Sequence, residues 1–318
     1  MDVPLLLASA VSSFVATCVF LPWLIRSLKG TTAVGRDLNK QARPLVPEMG
    51  GLGVIIGFYV GVAVILVFGS TQVPGSLINA SLSAALGAGV VGLIDDMFRL
   101  RKRTKAVLPF LLALPLGAAA YASGDRTILT INVGILIVVA IALGVTAAGN
   151  AANMLEGLNG LGAGLGVIVT FTLIVLSLEK GAEEGLFLLF PLFGALVAFL
   201  LFNIYPARVF PGDSMTLFTG AAIASAAIIS SPPLKTYAVV LLAPMIVEFL
   251  LKARGRFRAE NYGSPAIDGR LQWQGRVESL VHLVMRWKSF KEWQIVIVLW
   301  GVEGAVCLAV IAMVGLGH

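Results

Sequence analysis

Apolar residues arrive along this chain in uninterrupted blocks of about 20, at neither a helical nor a strand period, and blocks of that length match a bilayer core because a helix rises about 1.5 Å per residue. Only 13% of the 318 residues are charged and 58% are hydrophobic, against about a quarter charged in an ordinary soluble domain. The 35 glycines fit the same class, since glycine is commoner in membrane helices than in soluble ones. The expected fold class is therefore an all-α, polytopic integral membrane protein. Ten spans are predicted, at 4–25, 48–69, 77–94, 106–122, 130–149, 160–178, 186–202, 214–231, 234–251 and 293–315. The β-branched segment 127–133 predicts a short hairpin at the membrane surface. No internal repeat or low-complexity linker divides the chain, so 1–318 is read as a single transmembrane domain. The first residues, Met1-Asp2-Val3-Pro4, lack the basic region and cleavage site of a secretory signal. The first block is expected to remain as a helix.

Charge placement fixes an orientation. The loops after spans 1, 3, 5, 7 and 9 hold 20 of the 23 lysines and arginines, and the opposite face holds only Arg126, Lys180 and Lys235. Cytoplasmic loops carry such an excess, so the basic face is read as cytoplasmic and both termini as outside. The net charge of +6 follows from topology and implies no nucleic-acid partner. Within the spans, Glu303 is the one acid near a span centre, expected to be an interhelical hydrogen-bonding group. Cys18 and Cys307 form no metal-ligand spacing and are read as packing residues. With only His282 and His318, no histidine dyad exists and histidine catalysis is not expected. No Walker glycines or nucleophile elbow are present.

The informative polar residues cluster in those basic loops. Gly35-Arg36-Asp37-Leu38-Asn39-Lys40, with Pro47-Glu48 following, combines glycine for close backbone approach with arginine for phosphate oxygens. Asp95-Asp96 precedes Arg99, Arg101, Lys102, Arg103 and Lys105. Acids beside a basic run suit phosphate chemistry, where Mg²⁺ and lysine or arginine share the substrate's charge. Asn150, Asn153, Glu156 and Asn159 lie within ten residues, and helix capping accounts for one asparagine rather than three. Tyr205-Pro206, Phe210 and Gly212-Asp213 precede another span, where Asp213 is either a helix N-cap or a Mg²⁺ anchor. Arg254, Arg256 and Arg258 alternate in the last basic loop, as a pyrophosphate clamp or a contact with anionic headgroups.

The ordered set of these motifs resembles the polyprenyl-phosphate N-acetylhexosamine-1-phosphate transferases, over nearly the whole chain, and most closely the dolichyl-phosphate type. The resemblance implies transfer of N-acetylglucosamine-1-phosphate from UDP-GlcNAc to a polyprenyl phosphate, releasing UMP, as the first membrane step of lipid-linked oligosaccharide synthesis for N-glycosylation. It implies Mg²⁺, with Mn²⁺ as its substitute, held by Asn153 and Asp213. Asn159 and Phe210 resemble uracil contacts, and Arg36, Asp37, Leu38, Glu48 and Asn150 resemble residues around the nucleotide-sugar. Lys105, with Thr146, Asn150 and Asn153, resembles the lipid-phosphate site, and Asp95, Asp96, Lys105 and Asp213 the catalytic set. Arg256 and Arg258 resemble a basic pair at the sugar-pyrophosphate. Two positions depart from the family pattern: Phe257 stands where a histidine is usual, and Glu156 matches bacterial members rather than dolichyl-type ones. The implied location is a prokaryotic plasma membrane or the endoplasmic reticulum, with the site facing the cytoplasm, and a homodimer is compatible with it. The competing expectations are the same reaction with another UDP-N-acetylhexosamine for cell-wall or polysaccharide assembly and, from a different class, a transporter of lipid or nucleotide-sugar.

Overall fold

A computed structural model describes residues 2–69, 73–128, 131–230 and 232–316. Twelve α-helices dominate it: α1 (Val3–Leu28), α2 (Gly51–Phe68), α3 (Gly75–Phe98), α4 (Lys102–Ala122), α5 (Ile137–Leu155), α6 (Leu161–Glu179), α7 (Leu186–Asn203), α8 (Gly212–Ile229), α9 (Pro232–Leu241), α10 (Ala243–Arg254), α11 (Leu280–Trp287) and α12 (Glu292–Gly315). Among the described residues nine helices are long and apolar enough to cross a membrane, and α9 with α10 supplies a tenth span bent by 54°. The ten predicted spans are thus present, the ninth as a broken one. Its break falls where Pro244 occupies the first turn of α10, since proline brings no N–H to bond the preceding turn. The ends of the predicted spans at 130 and 231 lie outside the described residues, as does His318.

Helix α8 forms the centre of the bundle and packs against α3, α5, α2, α7 and α9. Its sequence explains this position: glycine, alanine and serine dominate, and small residues let neighbouring backbones approach closely where lipid supplies no hydrophobic drive for helix association. A Cβ at Gly220 would collide with the Ala148 carbonyl of α5. The same device joins α1 to α2, where Gly53, Gly57 and Gly61 face Leu21, Thr17 and Ser13. The Thr17 hydroxyl donates to the Gly53 carbonyl at 3.2 Å.

The remaining elements are short. Strands β1 (Val34–Arg36) and β2 (Leu45–Pro47) pair antiparallel, Gly35 opposite Val46, and carry the loop 37–44 between them. Strands β3 (Thr127–Ile128) and β4 (Ile131–Asn132) form the hairpin expected at 127–133; its tip residues lie outside the described set. Strands β5 (Ser264–Pro265), β6 (Arg270–Gln272) and β7 (Phe290–Lys291) make a small antiparallel sheet beside α11. Glu303 is fully buried, but its described hydrogen-bond partner is Cys307 one turn along the same helix, at 3.6 Å. The expectation of an interhelical bond is corrected accordingly, while Cys307 is packed in the core as expected.

Candidate active site

All five basic loops meet at one end of the bundle. Their contact begins with backbone: the Phe210 N–H donates to the Pro47 carbonyl at 2.8 Å, and the Gly50 and Gly51 N–H groups donate to Phe210 and Pro211 at 2.9 Å. This pins β2 to the loop before α8. Beside that junction opens a cavity of about 270 Å³, lined by residues from three of the five loops together with Tyr262 of the last; the loop carrying Asp95 and Lys105 stands beside it through Asp213. Of the residues singled out in the sequence, Arg36, Asp37, Leu38, Glu48, Asn153, Glu156, Asn159, Phe210 and Asp213 line it.

At one side of the cavity, α3, α4, α5 and α8 bring four side chains to a point. The Lys105 ammonium lies 3.0 Å from Asp95, 3.5 Å from the Asn153 amide oxygen and in direct contact with Asp213. The Asn153 amide nitrogen donates to Asp213 at 2.5 Å and to the Thr216 hydroxyl at 2.8 Å. Asn153 sits near the C-terminal end of α5 and Asp213 in the first turn of α8, so an acceptor cluster faces the positive end of a helix dipole. The donor set is hard oxygen throughout. Mg²⁺ takes one or two protein carboxylates plus substrate phosphates, and Asp213 with Asn153 fits that demand. Among the described residues no cluster of three His, Cys, Asp or Glu side chains makes an all-protein cage.

Asp95 and Asp96 diverge, as adjacent residues on a helix must. Asp95 faces Lys105 and also accepts from the Leu100 N–H at 2.5 Å, closing the turn into α4. Asp96 accepts from the backbone N–H groups of Asp213 at 2.6 Å and Ser214 at 3.2 Å. It therefore supplies, from another helix, the cap that α8 lacks in its own sequence, where Pro211 precedes the first turn. Asp96→Ala should lower the melting temperature, costing about 0.5–2 kcal/mol, whereas Asp96→Asn should cost less, because its one amide oxygen keeps one of the two N–H groups while its nitrogen cannot accept the other. Thermal unfolding of the two detergent-solubilised variants distinguishes them.

Sequence reasoning missed the deepest layer of the cavity. Glu292, the first residue of α12, is buried and accepts from the Asn159 N–H at 2.8 Å and from Lys40 at 3.2 Å. Asn39 holds two loops together, donating to the Gly157 carbonyl at 2.9 Å and accepting from the Gly263 N–H at 3.1 Å. Asn203 does the same between Gly160 and Val209. Asn39 and Asn203 were visible as polar residues within motifs. Glu292 carried no signal, because an acid opening a helix reads as an ordinary first-turn residue.

Other expectations land elsewhere. The Thr146 hydroxyl donates to Ala142 and the Asn150 amide to Thr146, each one turn back along α5, and neither residue lines the cavity. Arg256, Phe257 and Arg258 are exposed and also stand outside it. The chain turns there through two successive left-handed residues, Arg256 and Phe257, and the Phe257 ring lies 5.6 Å from that of Phe249. The Lys102 side chain lies outside the described set.

Two cavity carboxyls are displaced in acidity. Burial, then the neighbouring Asp96, raise Glu48 above the usual carboxylate range, with Arg99 opposing. Burial pushes Glu156 from 4.5 up to about 7, while the backbone amides of Gly157 and Gly162 pull the other way. Between those two values the folded chain retains a proton that the unfolded chain has lost, so this group's contribution to stability falls as pH rises through the window. Glu156→Gln should therefore melt higher than the parent protein at pH 8 and match it near pH 4.5, as measured by thermal unfolding across pH.

The fold and the arrangement of these loops can be set beside known proteins. The family model for glycosyl transferase family 4 matches residues 78–231. The chain is 38% identical over 314 residues to a putative UDP-N-acetylglucosamine–dolichyl-phosphate N-acetylglucosaminephosphotransferase of Saccharolobus solfataricus, covering 95% of this chain and 94% of that one. This chain belongs to glycosyl transferase family 4. A protein of the same description from Sulfolobus acidocaldarius is 36% identical over 97% of this chain and 95% of its own. More distant members of the family include a phospho-N-acetylmuramoyl-pentapeptide-transferase of Shouchella clausii, 27% identical over 71% of this chain and 74% of its own. The family resemblance carried by the ordered motifs is thus borne out, and the family 4 match spans Asp95, Lys105, Asn153, Asn159 and Asp213 together.

Proposed function

We propose that this family 4 member transfers N-acetylglucosamine-1-phosphate from UDP-GlcNAc to a polyprenyl phosphate of the dolichyl type, at the cytoplasmic face of the membrane. The observation that carries the reading is the convergence of Lys105, Asp95, Asn153 and Asp213 beside a cavity lined by Asp37, Asn159 and Phe210. A phosphate-handling cluster adjoins a pocket holding an aromatic ring and an amide, as a nucleotide-sugar requires. The relatives described as dolichyl-phosphate transferases supply the substrate class. The excess of Lys and Arg on the loops that meet at this end supports the cytoplasmic orientation.

In the reaction an oxygen of the polyprenyl phosphate attacks the β-phosphorus of UDP-GlcNAc. The new phosphorus–oxygen bond forms as the bond to the bridging oxygen breaks, and UMP leaves with that electron pair. A phosphomonoester is largely ionised at neutral pH, its second pKa being about 6, so the nucleophile needs no strong base. Positioning and charge neutralisation supply the catalysis. Lys105 neutralises the attacking phosphate; Phe210 and Asn159 hold the base; Arg36 faces the pyrophosphate. Asn153 and Asp213 would hold Mg²⁺, which when bound neutralises pyrophosphate charge. The direct route is favoured over an aspartyl-phosphate because both candidate nucleophiles are engaged: Asp96 caps α8, and Asp95 is tied to Leu100 and Lys105. An apolar cavity of about 250 Å³ between α5, α8 and α9 runs from Ala148 toward the opposite face at Lys235, lined by Ile137, Ile141, Ala224 and Val239 among others, and suits the far part of a prenyl chain.

The test is incubation of detergent-purified protein with labelled UDP-GlcNAc and a short polyprenyl phosphate, with and without Mg²⁺. Labelled lipid and UMP formed only with Mg²⁺ are expected. Product with UDP-GalNAc alone would move the sugar assignment, and silence with every UDP-sugar would overturn the transferase reading.

A further inference from the structure

The layer beneath the cavity determines more than shape. An asparagine amide is ambidextrous: by rotating it can offer its oxygen or its nitrogen to a ligand. Asn159 has no such freedom. Its amide nitrogen donates to Asp37 Oδ2 at 3.1 Å, and its backbone N–H donates to Glu292 Oε1 at 2.8 Å. Asp37 in turn contacts the Lys40 ammonium, which also binds Glu292 at 3.2 Å and lies 4.7 Å from the centre of the Tyr205 ring. Asp37, Asn159 and Glu292 are 3%, 4% and 2% exposed, so these groups are held by one another rather than by bulk solvent. A carboxylate only accepts, hence the group Asn159 turns toward Asp37 is its nitrogen. The oxygen is left for the cavity.

We propose that Asp37, backed by Lys40 and Glu292, is a specificity-determining positioning residue that locks Asn159 as an acceptor, so that the pocket selects a uracil over a cytosine base. This rests on the nucleotide reading of the cavity given above. The pairing edge of uracil presents an N3–H donor, whereas that of cytosine presents a bare N3 acceptor. A locked amide oxygen bonds the first and repels the second. An amide free to rotate would serve both. Sites that hydrogen-bond a donor can reject an analogue lacking it by about 10⁴-fold, and the discrimination depends on the amide being unable to turn.

The experiment measures binding, independent of turnover: UDP and CDP compete with labelled UDP for the full-length protein in detergent. Wild-type protein is expected to favour UDP by at least about 100-fold. Asp37→Asn keeps the shape but can either donate or accept, so the UDP-to-CDP ratio should fall by about tenfold or more, chiefly because CDP gains. Glu292→Gln keeps an acceptor for the Asn159 N–H while loosening Lys40, and should shift the ratio in the same direction by less. The exchanged pair Asp37→Asn with Asn159→Asp should restore selectivity, since the carboxylate facing the base then only accepts. A merely structural role would predict no such rescue. Folding of each variant is checked by its thermal unfolding. Asp37→Asn and Glu292→Gln weakening UDP and CDP by the same factor, or an unchanged ratio in both, would overturn the proposal. Wild-type protein that binds neither nucleotide would instead overturn the nucleotide reading of the cavity.

Discussion

Asp213→Asn should lower turnover by about 10³-fold or more, while changing the apparent affinity for UDP-GlcNAc only a few-fold. The carboxylate is the anion at the meeting point of Lys105 and Asn153, and it is the one proposed metal-holding group that carries charge. Charge neutralisation of a transferring phosphoryl group supplies several kcal/mol, each 1.36 kcal/mol being about a factor of ten. The substitution is nearly isosteric and leaves the backbone N–H of residue 213 on Asp96, so α8 keeps its cap. The proposed base contacts are Asn159 and Phe210 instead, which is why binding should survive. Initial rates across UDP-GlcNAc and Mg²⁺ concentrations measure both quantities. A variant retaining a tenth of the parent turnover would remove Asp213 from the phosphate-handling cluster.

Lys105→Met should cost about 10²–10³-fold in turnover, the usual loss when one pre-organised charge stabiliser is removed. The apparent Km for the polyprenyl phosphate should rise while that for UDP-GlcNAc moves little, because the ammonium stands in the phosphate cluster and not among the base contacts. Removing it also leaves Asp95 and Asp213 facing each other without their shared cation, so the variant should be less stable at neutral pH. Kinetics with each substrate varied in turn, together with thermal unfolding, test both halves. Equal effects on the two Km values would mean that Lys105 organises the site as a whole rather than serving the lipid phosphate.

How much of this was legible in the sequence follows from range. The spans were readable because hydropathy is a property of consecutive residues and a bilayer demands about 20 of them. The hairpin at 127–133 was readable for the same local reason. Motif order placed Asn153, Asn159, Phe210 and Asp213 in the site, and the cavity contains all four. Local pattern failed where a side chain's partner lies on a distant segment. Asp95 and Asp96 looked alike in sequence, yet one ties off a turn and meets Lys105 while the other caps a helix 117 residues away. Thr146 and Asn150 each donate one hydrogen bond along their own helix and stand outside the cavity, a placement that their polarity alone does not announce. Arg256, Phe257 and Arg258 lie on a left-handed turn that no propensity of theirs announces, away from the cavity.

The sequence by itself determined the membrane class, the number of spans, the family and the face on which the polar loops gather, because each is set by hydropathy, charge placement or motif order along one dimension. Only the tertiary structure decided which carboxylate meets which cation and that the Asn159 amide nitrogen meets Asp37. Glu292 stands 133 residues from Asn159 and Lys40 stands 252 from Glu292; contacts at that separation are fixed by helix packing, through the small residues that let α3, α5 and α8 approach, and leave no local pattern to read.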